Sequence, residues 1–192
     1  MPLVALWSGL RQGEICQMLT DDVREIEGVC CFVVSAAEGE GKRLKTAASE
    51  RLVPVHAELQ KIGFTSYVDA RRAAGDLRLF PDLMKDSLGL HSGKFSKWFS
   101  RFLISCGAAS DRSCFHGFRH SFRDALREAK IDRDIALTLG GWATTSANGA
   151  GVVADAYGRG YRPRLLNEAL SQISYPGLDL THLYLYDTAS AT

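Results

Sequence analysis

The chain reads as an α+β domain, mainly helical, with a small three-stranded antiparallel sheet. Three observations predict this. Apolar residues recur at helical spacing over most of the sequence beyond His56. Between residues 28 and 55 the pattern changes to short β-branched and aromatic runs separated by turn residues. The 192 residues, 46% hydrophobic and 23% charged, are enough for one domain with a buried core, balanced as in ordinary globular proteins.

Residues 3–10 predict the buried end of a helix stopped at Gly9. Residues 13–19 predict a second, short helix with Ile15, Met18 and Leu19 inward, ended by Asp21 and Asp22. The run 28–34 (Gly-Val-Cys-Cys-Phe-Val-Val) is too short for a typical helix and predicts a strand. After a charged, glycine-rich turn at 38–41, residues 42–46 and 51–55 predict two more strands, joined by 47–50. Pro54 has no N–H to give to a ladder, which confines the last strand to an edge or a strand end. Helices follow over 56–62 and 66–74, punctuated by Gly63, and Leu79-Phe80-Pro81 predicts a buried turn. Residues 93–105 predict a strongly amphipathic helix whose stripe of Phe95, Trp98, Phe99, Phe102 and Leu103 reads as core. Helices over 118–129, 132–139 (stopped by Gly140-Gly141), 150–157 and 163–173 complete the domain, 1–174. The remainder, 175–192, reads as a tail. Pro176-Gly177 breaks the chain, and Leu178, Leu180, Leu183 and Leu185 form an apolar strip too short to make its own core. Such a strip either folds back on its own domain or docks on a neighbouring subunit.

Composition excludes several classes. No apolar run reaches the roughly 18 residues of a membrane span, and the apolar start lacks the basic region and cleavage site of a signal peptide. The five cysteines are odd in number, two are adjacent, and no C-x-x-C occurs. That pattern fits reduced, mostly buried thiols in a cytosolic protein better than a disulfide framework or a zinc site. The net charge of +1 is low for a DNA-binding domain, but distribution matters more than the sum. Lys42, Arg43 and Lys45 cluster, as do Lys94, Lys97 and Arg101, and Arg119, Arg123 and Arg127. Acids gather elsewhere, at Asp21, Asp22, Glu25 and Glu27.

Three short segments carry chemistry: Ser8-Gly9-Leu10-Arg11-Gln12-Gly13-Glu14, His116-Gly117-Phe118-Arg119-His120-Ser121-Phe122 and Tyr157-Gly158-Arg159-Gly160. The planar fork of an arginine matches phosphate oxygens two at a time. Two forks with a histidine as proton donor can balance a pentacovalent phosphorane, and a tyrosine can attack and stay attached to phosphorus. Arg11 and Glu14 could form an ordinary surface pair, or Glu14 could hold the guanidinium while its face meets phosphate. His116 and Arg119, three apart, share a face at a helix N-terminus, where anions are favoured. His120 points elsewhere and reads as a packing residue. Tyr157 ends a helix ahead of a Gly-Arg-Gly segment, and Tyr161 is its rival for the role of nucleophile.

Together these segments resemble the catalytic domain of tyrosine recombinases, the phage-integrase family, over residues 6–183. The first box is similar to residues 8–14, the lysine hairpin and following strand to 44–46 and 51–55, and the H-x-x-R-H box to 116–122. The Leu-Gly-His box is similar to Leu139-Gly140-Gly141-Trp142, and the tyrosine box to Tyr157-Gly158. The resemblance implies that family's catalytic-domain fold, and that Arg11 and Arg119 clamp a scissile phosphate. Lys45 would protonate the leaving 5′ oxygen, His116 would serve as general acid/base, and Tyr157 would form a 3′-phosphotyrosine, with no metal or cofactor. Trp142 stands where most members have histidine, so it could donate one hydrogen bond but exchange no proton. Implied partners are double-stranded DNA attachment sites and other protomers, as a tetramer on DNA, in the bacterial cytoplasm at the nucleoid and away from membranes. The family also places a core-binding domain ahead of such a domain, and nothing before Met1 supplies one. The alternative is a catalytically silent DNA-binding remnant of a prophage integrase, and a type IB topoisomerase would share the chemistry.

Overall fold

The computed structural model describes residues 1–35, 42, 50–87, 89–111, 113–142 and 160–185. Pro2, whose fixed φ suits a first helical turn, opens α1 (Pro2–Ser8), and Gly9 closes it in the left-handed region at φ 64°. Its Cα lies so close to the Phe122 ring that a Cβ would stand 2.2 Å from it. The short α2 (Gln12–Cys16) follows, then a 3₁₀ turn at Thr20–Asp22. Three strands come next: β1 (Val23–Ile26), β2 (Val29–Val34) and β3 (Arg51–Pro54). Beyond them lie α3 (Ala57–Lys61), α4 (Phe64–Ala73), α5 (Ser92–Ser105), α6 (Gly117–Glu128), α7 (Arg133–Gly140) and α8 (Pro163–Leu170).

The sheet is antiparallel in the order β1-β2-β3. Val23 faces Phe32 and Phe32 faces Val53 across the ladders, and all three are buried, so this row forms the core face. Phe122 and Leu126 of α6, Leu139 of α7, and Leu166 and Leu170 of α8 complete one continuous core with Leu10, Ile15 and Leu59. Helix α6 packs on α1, and both α7 and α8 pack on β3. This brings the end of α7 beside the first turn of α6 and the loop after α1.

The helical domain with a three-stranded antiparallel sheet is as the sequence predicts, and Pro54 indeed lies on a strand at the sheet's edge. The strands themselves differ. β1 occupies 23–26, directly after Asp21 and Asp22, where the sequence predicts a helix ending and no strand. Val23 is buried, Arg24 and Glu25 are exposed and Ile26 is half-buried. The strand expected at 42–46 lies outside the described residues except for Lys42, which pairs with Asp22 at 2.7 Å. Helix α2 stops at Cys16. Met18 and Leu19 are buried from extended chain instead, where the Met18 carbonyl accepts from Leu79 N at 2.9 Å and Leu19 bridges Arg78.

The stripe on α5 is only partly core. Phe95 and Phe99 are buried, but Trp98 and Phe102 are 47% and 43% exposed and stack on each other at 5.3 Å. His120 is exposed, not a packing residue. Cys16 and Cys31 are buried, Cys30 is half-buried and Cys106 and Cys114 are exposed; all five are free. Residues 175–185 lie against their own domain. Tyr175 Oη donates to the Leu6 carbonyl at 2.6 Å, Leu180 is buried, Tyr184 Oη donates to Glu58 at 2.6 Å, and Leu185 N donates to the Lys61 carbonyl at 2.9 Å. Leu178, Leu183 and Leu185 remain exposed. The helix expected over 150–157 lies outside the described residues.

Candidate active site

The site is organised by the end of a helix. The last carbonyls of an α-helix have no partner within it and carry the negative end of its dipole. The last turn of α7 has no basic residue of its own. Three arginines from elsewhere in the sequence supply the cations. Arg51 Nε donates to the Leu139 carbonyl at 3.0 Å, Arg119 Nη2 donates to the Gly140 carbonyl, and Arg11 Nη2 donates to the Gly141 carbonyl at 3.2 Å. Consecutive carbonyls thus gather guanidinium groups from β3, α6 and the start of α2.

Glycine at 140 and 141 makes this arrangement possible. Gly141 adopts φ 58°, and a Cβ there would stand 2.9 Å from Arg51 Nη1. The Trp142 ring lies against Gly140, where a Cβ would come within 2.0 Å of it.

A single carboxylate ties two of the arginines together. Glu14 accepts from Arg51 Nη2 at 2.9 Å and Nη1 at 3.2 Å, from Arg11 Nη1 at 2.6 Å and from the Arg11 backbone N–H at 2.8 Å. Burial pushes this carboxyl's pKa up, but the bonds and charge of Arg51, with the bonds from Arg11, outweigh it and hold the group below its usual range. Glu14 is therefore ionised and fixed. The sequence foresees its pairing with Arg11; its second partner comes from the tertiary fold.

Arg119 is 4% exposed and also donates through Nη1 to the Gly9 carbonyl at 2.5 Å. Burial, then the neighbouring charges of Arg11 and Arg51, lower its pKa to about 9, still well above neutrality. Its guanidinium carbon lies 4.7 Å from the centre of the Trp142 ring, a cation–π distance, and that of Arg123 lies 5.2 Å away. Beside Trp142 opens a cleft of about 470 Å³ whose walls include Arg123, Arg127 and Arg133.

Of the six residues singled out in the sequence, Arg11, Arg119 and Trp142 converge on the turn at 139–142. His116 is the exposed N-cap of α6, one turn ahead of Arg119, with its ring edge-on to His120 at 5.0 Å. Lys45 and Tyr157 lie outside the described residues. Tyr161, the rival nucleophile, is partly buried against the core. Among the described residues no group of His, Cys, Asp and Glu could hold a metal ion, and no helix is long and apolar enough to cross a membrane. Sequence reasoning missed Arg51. The one signal was a charged residue opening the apolar run Arg51-Leu52-Val53-Pro54-Val55, which needs a buried partner if the strand is buried.

The sequence profile described as the Phage integrase family matches residues 1–148. No curated protein sequence is significantly similar to the chain. Among solved structures, the XerH site-specific recombinase bound to difH substrate, in a pre-cleavage complex, aligns with a TM-score of 0.50 at 20% identity. That alignment covers 77% of this chain and 39% of the other. The Tn1549 transposon integrase in complex with transposon right end DNA aligns at 0.48 and 17% identity over 81% of this chain and 57% of its own. The same integrase with circular intermediate DNA aligns at 0.49 and 16% identity over 82% and 58%. The chain thus spans less than two thirds of the length of each of these proteins, and its likeness to XerH is one of fold.

Proposed function

This chain belongs to the phage integrase family, and on that footing we propose that it is the catalytic domain of a site-specific DNA recombinase. It cuts and rejoins double-stranded DNA at attachment sites through a 3′-phosphotyrosine. One observation carries the reading beyond family membership. Arg11 and Arg119, far apart in sequence, meet on adjacent carbonyls with Trp142 at Arg119, and three cations share the site with one carboxylate. A guanidinium has five N–H donors. The bonds to carbonyls and to Glu14 fix the planes of Arg11 and Arg119 at one turn. A phosphodiester is the anion whose geometry two forks match.

In this reading Tyr157 Oη attacks phosphorus and the bond to the 5′ oxygen breaks. Arg11 and Arg119 neutralise the charge that grows on the non-bridging oxygens. The Trp142 indole N–H donates to one of them, Lys45 gives a proton to the departing 5′ oxygen, and His116 serves as general acid/base on the tyrosine side. Attack by another strand's 5′ hydroxyl on the phosphotyrosine reverses these steps and frees Tyr157. We assign residues 1–174 to this domain. The working form is an assembly of protomers on DNA, a tetramer, in the bacterial cytoplasm, with the end of the tail available to a neighbour.

The test is covalent capture on a nicked suicide duplex. The chain and its Tyr161→Phe variant are expected to form a protein–DNA adduct, and Tyr157→Phe none. An adduct with Tyr157→Phe would remove Tyr157 as nucleophile. Absence of any adduct with the unaltered chain, where DNA is still bound, would favour a silent binding module.

A further inference from the structure

We propose that Arg51 is a positioning residue for this chemistry, setting Arg11 through Glu14 and Arg119 through the turn at the end of α7. The inference rests on the reading that Arg11 and Arg119 hold the scissile phosphate. The Arg51 side chain is 2% exposed and that of Glu14 5%, and all three nitrogens of the Arg51 fork are bonded within the protein. These bonds run to both oxygens of Glu14 and to the Leu139 carbonyl. The bonds to Glu14 brace one half of the clamp and the bond to Leu139 braces the other. Glu14, gripped at both oxygens, cannot pivot, so the Arg11 fork bonded to it keeps one orientation. The Leu139 carbonyl precedes the two carbonyls that hold Arg119 and Arg11. Pinning it fixes where they point, and Arg51 packs beneath Gly141 closely enough to exclude a Cβ.

The charges explain why arginine is needed. Arg11, Arg51 and Arg119 would push one another apart, and the Arg11 and Arg51 charges already lower the pKa of Arg119. Glu14 and the carbonyls offset that repulsion only in one geometry. A lysine would keep the charge but could not bond both Glu14 oxygens and Leu139 at once, because its ammonium is a point donor without a planar fork.

The experiment compares Arg51→Lys, Glu14→Gln and Arg11→Ala on two versions of the suicide duplex. One carries the ordinary phosphodiester at the scissile position. The other carries a methylphosphonate, which is neutral and does not need two guanidinium groups to balance it. Each variant is first checked for folding by circular dichroism and for DNA affinity by titration. If Arg51 positions the clamp, Arg51→Lys slows covalent capture on the phosphodiester, on the order of a hundredfold as for small displacements of catalytic groups. DNA affinity stays within about twofold, a change of under half a kcal/mol. The defect shrinks on methylphosphonate DNA in parallel with that of Arg11→Ala, and adds little to it in the double variant.

Equal defects for Arg51→Lys on both duplexes, or a defect fully additive with Arg11→Ala, would overturn the proposal and leave the clamp standing. A defect of Arg11→Ala that is itself the same on both duplexes would bring down the clamp reading and the proposal together. Should Arg51→Lys fail to fold, Glu14→Gln keeps the neighbouring bonds in part and carries the same expected signature.

Discussion

At Gly141 two demands meet in one residue. Its φ of 58° strains any side chain, and its missing Cβ is the space that Arg51 fills. Gly28, in the β1–β2 turn at φ 76°, makes the first demand alone, since no atom stands within 4 Å of a Cβ there. Gly28→Ala should therefore show backbone strain only, of order 1–3 kcal/mol. Gly141→Ala should cost more in a denaturant titration and should also slow covalent capture, because Arg51 must move. Equal costs with cleavage intact would show that the contact yields without consequence. His56 offers a second test at this scale. It stacks on Trp7 at 4.2 Å, caps α3 by accepting from Glu58 N at 3.1 Å, and burial lowers its pKa to about 4. The folded state thus favours the neutral ring. That stabilisation is complete above the unfolded value of 6.5 and is lost as pH falls from there towards 4. His56→Asn keeps a capping side chain that does not titrate. Its midpoint in urea should fall less than the parent's between pH 7 and pH 5. The window lies above the carboxylate range, so Glu14, whose lowered pKa makes its contribution disappear only at more acid pH, does not confuse it.

At the scale of elements, the C-terminus of α7 does what a bound cation or a basic last turn does in other helices, but with side chains from three other elements. This separates what the sequence discloses from what it conceals. Periodicity placed α5, α6 and α7 within a residue or two, because a long apolar stripe is a repeated signal. The boxes around Arg11, Arg119 and Trp142 were legible as residue types in order. Arg51 was not, since its one local sign, a charge opening an apolar run, fits an exposed arginine as well as a buried one; only the packing of β3 on α7 creates its partners. β1 was missed for the converse reason. Its four residues offer one buried position, too little alternation to outweigh the acids beside it. The tail shows the same limit, since an apolar strip does not say which surface it covers. Residues 175–185 cover their own domain, through Tyr175 on Leu6, buried Leu180 and Tyr184 on Glu58. Ending the chain after Ser174 should accordingly lower the thermal midpoint by several degrees, as the loss of buried Leu180 and half-buried Tyr175 implies. A midpoint unchanged by truncation, with strand exchange lost, would instead return the whole tail to the role of a docking arm.

The whole molecule is nearly neutral, yet its site is not. Burial and the charges of Arg11 and Arg51 make keeping Arg119 charged in the fold costly, and a bound anion relieves that cost. Arg123, Arg127 and Arg133 line the cleft beside Trp142 and extend this asymmetry outward, and Lys94, Lys97 and Arg101 form a second basic cluster along α5. A net charge of +1 gives little long-range attraction, so binding to a polyanion must come from these local contacts. Each neutralised phosphate then lowers log K by about 0.9 per decade of salt. A fluorescence titration of the chain with a short duplex, repeated over a series of salt concentrations, should give weak binding and a steep straight line. Arg123→Ala should reduce the slope by about one phosphate while leaving the fold intact, because Arg123 is exposed and lies over the Trp142 ring. Arg11→Ala should reduce the slope similarly and slow capture as well. Binding insensitive to salt, or slopes unchanged by both substitutions, would mean that the duplex is held by some other surface, and the charge asymmetry would then have no part in bringing DNA to the site.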